Sequence, residues 1–171
     1  MTNQSRANLR GLLERQAAFD EREGWPDRIQ VDDWHAARVG SIARDLAGLQ
    51  VILLTHEEVG ATIKQIVVPG LAIARARIIS TVGLGVSTCE TADFRAPTPS
   101  DVQGQLIRAQ AHLAAYVDDD GIRTERARRH EARRGVRRIH VAAISLGHIY
   151  GINVNRAHRE WLERKAGAVE L

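Results

Sequence analysis

The sequence predicts an all-α fold, a helical bundle of about five to six helices. Three observations carry that expectation. Aromatic residues are only 4% of the chain, and strand-like alternation is confined to short runs. Ala, Leu, Arg and Glu, all good helix formers, dominate the composition. Apolar residues recur at spacings of three and four through most of the chain, the period of a helix with one buried face. A length of 171 residues is enough for one substantial core, so residues 1–171 read as a single domain.

The elements follow in order. Leu9, Leu12, Leu13, Gln16, Ala17 and Phe19 mark a first helix over residues 6–23, stopped by Gly24, Trp25 and Pro26. Asp32 or Asp33 is placed to cap a second helix reaching Ile66, with Ile42, Leu46, Leu49, Leu53 and the Leu54 side on its inner face. Val68, Pro69 and Gly70 are expected to end it. Residues 71–82 are rich in Ile and Val, and helix and strand both remain open there. Residues 83–99 carry Gly, Ser, Thr and two Pro and read as a long irregular loop, a candidate lid or partner contact. Ser100 then caps a helix to Val117, ended by three Asp and Gly121. A long helix is expected over 122–150, basic in its first part (122–138) and apolar later at Ile139, Ala142, Ala143, Leu146 and Ile149. Gly151 should close it in the left-handed conformation, and Asn153 or Asn155 should cap a last helix to Lys165. Trp161, four residues after Ala157, is expected in the core against Leu146 and Ile149.

Composition excludes several classes. No apolar run reaches the roughly 18–20 residues of a membrane span, and MTNQSRANLR lacks the apolar core of a signal peptide, so a cytoplasmic protein is expected, with no membrane partner. The one cysteine, Cys89, rules out an internal disulfide and a multi-thiolate zinc site, and reads as a small packed residue. His140 and His148 share a helix face but stand about 12 Å apart along the axis, too far for one metal ion. There is no phosphate-cradling G-x-x-x-x-G-K-[ST] run and no G-x-S-x-G elbow.

The net charge of +3 is uneven. Residues 122–138 hold eight arginines against Glu125 and Glu131, a local +6 that leaves −3 elsewhere. Such a block suits a polyanion, and Arg128, Arg129, Arg133, Arg134 and Arg138 are the candidate phosphate or polyanion contacts. The same pattern also describes a solvated helix face.

Three blocks, residues 15–29, 43–66 and 137–165, stand in the order of the MazG-like nucleotide pyrophosphohydrolases and resemble them. They read RQAAFDEREGWPDRI, ARDLAGLQVILLTHEEVGATIKQI and RRIHVAAISLGHIYGINVNRAHREWLERK. In that family an E-E-x-x-E run and an E-x-x-D run on two helices hold Mg²⁺ against a nucleoside triphosphate, because hard oxygen ligands converge when carboxylates share a helix face. Here the first run keeps Glu57 and Glu58, the candidate metal ligands, but has Ala61 in third place. The second pair of acidic positions falls on Gly135 and Arg138. The resemblance therefore implies a helical protein that has lost most metal-binding carboxylates: a non-catalytic or weakly active scaffold for a nucleotide or a protein. It also implies a homodimer. No cofactor is expected otherwise, and Mg²⁺ only if a rearranged site still works as a nucleoside triphosphate pyrophosphohydrolase. Glu90 and Asp93 spell a second E-x-x-D, but in the Pro-containing loop.

A rival of another class is a helix-turn-helix over residues 140–165. Asn153, Asn155, Arg156 and Arg159 would reach bases and phosphates, beside the Arg-rich segment. Val154, apolar on the face turned to DNA, and Glu160, charged where that helix should be apolar, count against it.

Overall fold

The computed structural model describes residues 2–25, 33–55, 60–90, 98–118 and 124–169. Among them the fold is helical, with no strand. Helix α1 spans Asn3–Arg22, α2 Trp34–Thr55, α3 Gly60–Thr62, α4 Val68–Val82, α5 Pro99–Val117, α6 Glu125–Tyr150 and α7 Val154–Val169. A π-helical turn, Ile63–Val67, joins α3 to α4, and a short 3-10 turn spans Val86–Cys89.

Each start has a local cause. Side-chain oxygens of Thr2, Thr98, Thr124 and Asn153 accept from the peptide N–H three residues on, capping α1, α5, α6 and α7. Asp33 does the same for α2 through the Ala36 N–H. That bond, first, and the Arg128 guanidinium hold the Asp33 carboxyl below its ordinary pKa. Gly83 and Gly151, both left-handed (φ 72° and 66°), close α4 and α6.

The sequence expectation fails at Pro69. Val68, Pro69 and Gly70 end no helix; the chain runs helically from Gly60 to Val82. Proline lacks an N–H and its ring crowds the carbonyl four residues back, which normally breaks a helix. The π turn just before it widens the coil, with the Val68 N–H reaching the Ile63 carbonyl five residues back. Residues 71–82 are thus helix, and nearly every side chain of α4 is buried. A helix apolar all round belongs inside a bundle: α4 packs against α1, α2, α6 and α7, so its membrane-span length and apolarity reflect a core position. The described ends of the 83–99 stretch hold more order than expected: the 3-10 turn tucks Cys89 into the core, and α5 begins at Pro99.

One apolar core joins Leu9 of α1, Ile42 and Leu46 of α2, Leu71 and Ile78 of α4, Leu106 and Leu113 of α5, Ile139 and Leu146 of α6, and Ala157 of α7. α5 and α6 make the most extensive pairing. There a Cβ on Gly135 would lie 2.8 Å from Leu113 Cδ2, so glycine lets the two helices close. α7 packs on α4 and α1 more than on α6. Trp161 accordingly departs from expectation: it is half-buried and meets Phe19 of α1 edge-on, ring centres 5.4 Å apart, while Leu162 takes the inward position.

A candidate anion-binding cavity at Arg75

Arg75 is the largest fully buried side chain, 1% exposed, midway along α4. An ionised group there loses its hydration and needs compensation. Among the described residues no carboxylate supplies it. Arg75 Nη1 donates to His140 Nδ1 at 2.7 Å and Nη2 to Asn155 Oδ1 at 2.9 Å, both neutral acceptors. Its Nε is buried without any partner. Because guanidinium has no acceptor, His140 Nδ1 must present its lone pair and Nε2 must carry the proton. Burial, and then the Arg75 charge, push the His140 pKa down to about 3, so the imidazole stays neutral. Burial likewise raises the nearby Cys89 thiol above its ordinary value, so no thiolate offsets the guanidinium. Burial also lowers the Arg75 pKa; a guanidinium keeps its proton in proteins nonetheless.

A cavity of about 330 Å³ opens onto this group, lined by Arg75, His140, Ile144, Gly147, His148, Ile152, Asn153, Val154 and Asn155. The end of α6 and the start of α7 build its rim. The Gly151 and Ile152 N–H groups both return to the Gly147 carbonyl, the latter at 2.7 Å. A Cβ on Gly147 would stand 2.5 Å from the Ile152 carbonyl oxygen, so only glycine permits this turn. The turn aims the N-terminus of α7 at the cavity. The first N–H groups of a helix lack intrahelical acceptors and carry partial positive charge. Asn153 Oδ1 takes the Arg156 N–H, and those of Val154 and Asn155, two residues that line the cavity, have no acceptor within the helix. Among the described residues, the lining holds a buried guanidinium and a helix terminus and no Asp or Glu.

Behind it runs a second polar chain. His158, fully buried, contacts Gln16 Oε1 through Nε2 at 2.7 Å. Gln16 Nε2 donates to Asp20 Oδ1, which accepts from Arg77, and Arg77 lies 3.7 Å over the Trp25 ring. Since Gln16 offers oxygen, His158 Nε2 donates, and its Nδ1 lone pair is left buried without a partner. Burial, then nearby arginines led by Arg75, lower its pKa to about 3 as well.

The candidates expected from sequence lie elsewhere. Glu57 and Glu58 fall outside the described residues, as does Asp93; Glu90 pairs with Arg6. Gly135 is sealed against Leu113, and Arg138 donates to Gln105 Oε1 at 3.1 Å across the same helix pair. Those two positions do not fit Mg²⁺: one has no room for a carboxylate and the other is a cation. Among the described residues no three His, Cys, Asp or Glu side chains gather as metal ligands.

The Arg-rich segment divides. Arg128 is buried, bonded to the Tyr116 carbonyl and to Asp33 and stacked on the Tyr116 ring. Arg129 donates to the Val82 and Gly83 carbonyls, capping α4 with positive charge. Arg133 is half-buried, and Arg134 and Arg137 are exposed. Of the helix-turn-helix candidates, Val154 is buried, Asn155 is held by Arg75 and Asn153 caps α7. Arg156 and Arg159 remain at the surface.

No family model, no curated protein and no solved structure matches the chain. Sequence reasoning missed Arg75. Its signal was a charge inside the apolar run LAIARARIISTV, where a burial-prone helix has no evident place for one.

Proposed function

We propose that this protein is a non-catalytic binding scaffold that holds a small anionic ligand at Arg75. The observation that carries the reading is the buried guanidinium with only neutral hydrogen-bond partners and an unpartnered Nε–H, in a residue that lines a cavity. Burying an uncompensated charge costs several kcal/mol. A chain that keeps one beside an opening has a use for it, and an entering anion supplies the missing counter-charge. The MazG-like resemblance belongs to the same reading: the all-α bundle is consistent with it, while Gly135 and Arg138 speak for a lineage without the family's metal chemistry. A homodimer in the cytoplasm completes the proposal. The Arg-rich helix contributes less to polyanion binding than its composition suggests, because Arg128 and Arg129 already have partners within the chain.

The test is Asn155→Asp. The new carboxylate would replace an amide oxygen already 2.9 Å from Arg75 Nη2 and so act as a built-in ligand. The expected outcome is loss of anion binding together with a higher melting temperature. Anion binding that survives Asn155→Asp, read by calorimetry, would place the ligand elsewhere.

A further inference from the structure

We propose that the face shared by α2 and α5 is a self-association surface, occupied by the same face of a second copy of this chain. The inference rests on the homodimer of the reading above and is independent of the anion site. Among the described residues five large apolar side chains are exposed, and three of them gather here. Val51 and Leu54 of α2 are 58% and 61% exposed, and Ile107 of α5 is 58% exposed. Hydrogen bonds across the seam fix their placement. Gln50 accepts from Gln103 through its carbonyl and from Gln110 through its side chain. A Cβ on Gly40 would lie 4.0 Å from Val117, so α2 and α5 run antiparallel. Ile107, midway between Gln103 and Gln110, therefore stands abreast of Gln50, and Leu54 lies one turn beyond Gln50 on the same side of α2.

Charge and shape select the occupant. In a chain that is 26% charged, α2 carries no ionisable side chain from Leu46 to Thr55. Between Asp101 and Asp118, α5 carries only Arg108 and His112. His112 bonds Glu131 of α6, and Arg108, one turn before it, shares that ridge, so both turn away from α2. Depletion of charge marks the core of a protein interface, and an uncharged face offers a nucleic acid or an acidic partner nothing to pair with. The shape is self-complementary. Val51, Leu54 and Ile107 make one end bulky. Towards the start of α2 and the end of α5 the same ridges carry Ala43, Ala47, Ala111 and Ala114, half-buried or exposed and all small. A two-fold axis through the middle of the face lays the bulky end of each copy over the alanine end of the other. That is the requirement of an isologous contact, and it joins two α2–α5 pairs into a four-helix layer.

The experiment is sedimentation equilibrium of the whole chain over about 1–100 μM, a range that resolves micromolar association. The wild type should form a dimer. Leu54→Glu and Ile107→Glu should each weaken it at least about hundredfold, because symmetry places every substitution in the interface twice and buries an unpaired carboxylate. Ala47→Leu, which fills the hollow, should weaken it at least about tenfold. Arg10→Glu, exposed on α1, should leave it unchanged. All four variants alter exposed or half-buried positions, and a cooperative melt by circular dichroism checks that each is folded. A wild type that stays monomeric would overturn both this face and the homodimer while leaving the anion site standing. A dimer indifferent to Leu54→Glu and Ile107→Glu would overturn the face alone. A dimer broken by those two but untouched by Ala47→Leu would overturn the bulky-on-small arrangement.

Discussion

Helix α6 is shared by two interfaces built on opposite terms. Towards α5 it presents Ala132, Gly135, Val136 and Ile139, fully buried and apolar, with backbone close enough that a methyl group on Gly135 would strike Leu113. Towards α4 and α7 it presents His140 to a buried arginine, beside a cavity and in front of a chain of Gln16, Asp20 and His158. The first interface is held by shape and burial. The second keeps polar atoms out of water with hydrogen-bonding capacity unspent at Arg75 Nε and His158 Nδ1. A polar seam of that kind weakens a bundle unless something else enters it. Stability thus resides on one side of α6, and the unspent hydrogen-bonding atoms lie on the other.

The sharpest way to break the contrast is Gly135→Glu, which places at that position an acidic residue of the kind the MazG-like resemblance would call for. Overpacking typically costs about 1–3 kcal/mol, and an unpaired buried charge costs more, of order 3–5 kcal/mol. That is much of the 5–15 kcal/mol stability typical of a domain. The variant should lose its cooperative helical melt by circular dichroism. A folded variant that binds Mg²⁺ would restore the hydrolase alignment.

Acid should act on the polar seam through its two histidines, and on Asp33, whose depressed pKa also makes its contribution fade as pH falls. His140 and His158 have folded-state pKa values of about 3 against an ordinary 6.5. Between those values the unfolded chain binds more protons than the native one, so stability rises with pH. It is complete above about pH 6.5 and is lost progressively as pH falls towards 3. Urea midpoints measured from about pH 7 down to about pH 4 should fall steadily. A flat profile would mean that both imidazoles reach water in solution.

Trp161→Ala measures the far edge of the seam. A core tryptophan costs about 3–5 kcal/mol when truncated. This half-buried one, resting on Phe19, should cost about 2 kcal/mol, seen as a lowered melting temperature with the transition still cooperative. A core-sized loss would put the indole deeper in solution than its packing on α1 implies. The smallest effect is expected for Arg134→Gln with Arg137→Gln: stability within about 0.5 kcal/mol, with weaker heparin retention at low salt. Unchanged retention would mean that these two exposed arginines contact no polyanion.

Much of the fold was legible because its signals are local. Gly151 as a left-handed stop, Asn153 as a cap, the inward face of α6 and that of α2 all follow from neighbours within one or two turns, except that Leu54, expected inward beside Leu53, is 61% exposed because it lies about 100° further round the helix. Pro69 misled because proline ends a helix only where the coil stays at its usual width, and no residue code announces a π turn. Trp161 misled because Ala157 and Leu162 are both inward, and the arc between them leaves position 161 at the border. The candidate site was hidden for another reason. Arg75 meets His140 and Asn155 across 65 and 80 residues of chain, so no spacing rule connects them. Arg128 and Arg129 were legible as charge but not as structure, since their partners lie 12 residues away on α5, 95 away at Asp33 and 47 away at the end of α4.

The wide turn before Pro69 has a consequence in time as well as in space. Lys64, Gln65 and Ile66 face solvent there, while the stretch from Leu71 to Ile79 is enclosed by four other helices. Proline offers no amide to lock the two parts together. In deuterated buffer the amides of residues 60–67 should exchange by local fraying, whereas those around Arg75 should wait for global opening. The helix that looks continuous from Gly60 to Val82 would then behave as two clocks, a fast one at the π turn and a slow one holding the arginine in place.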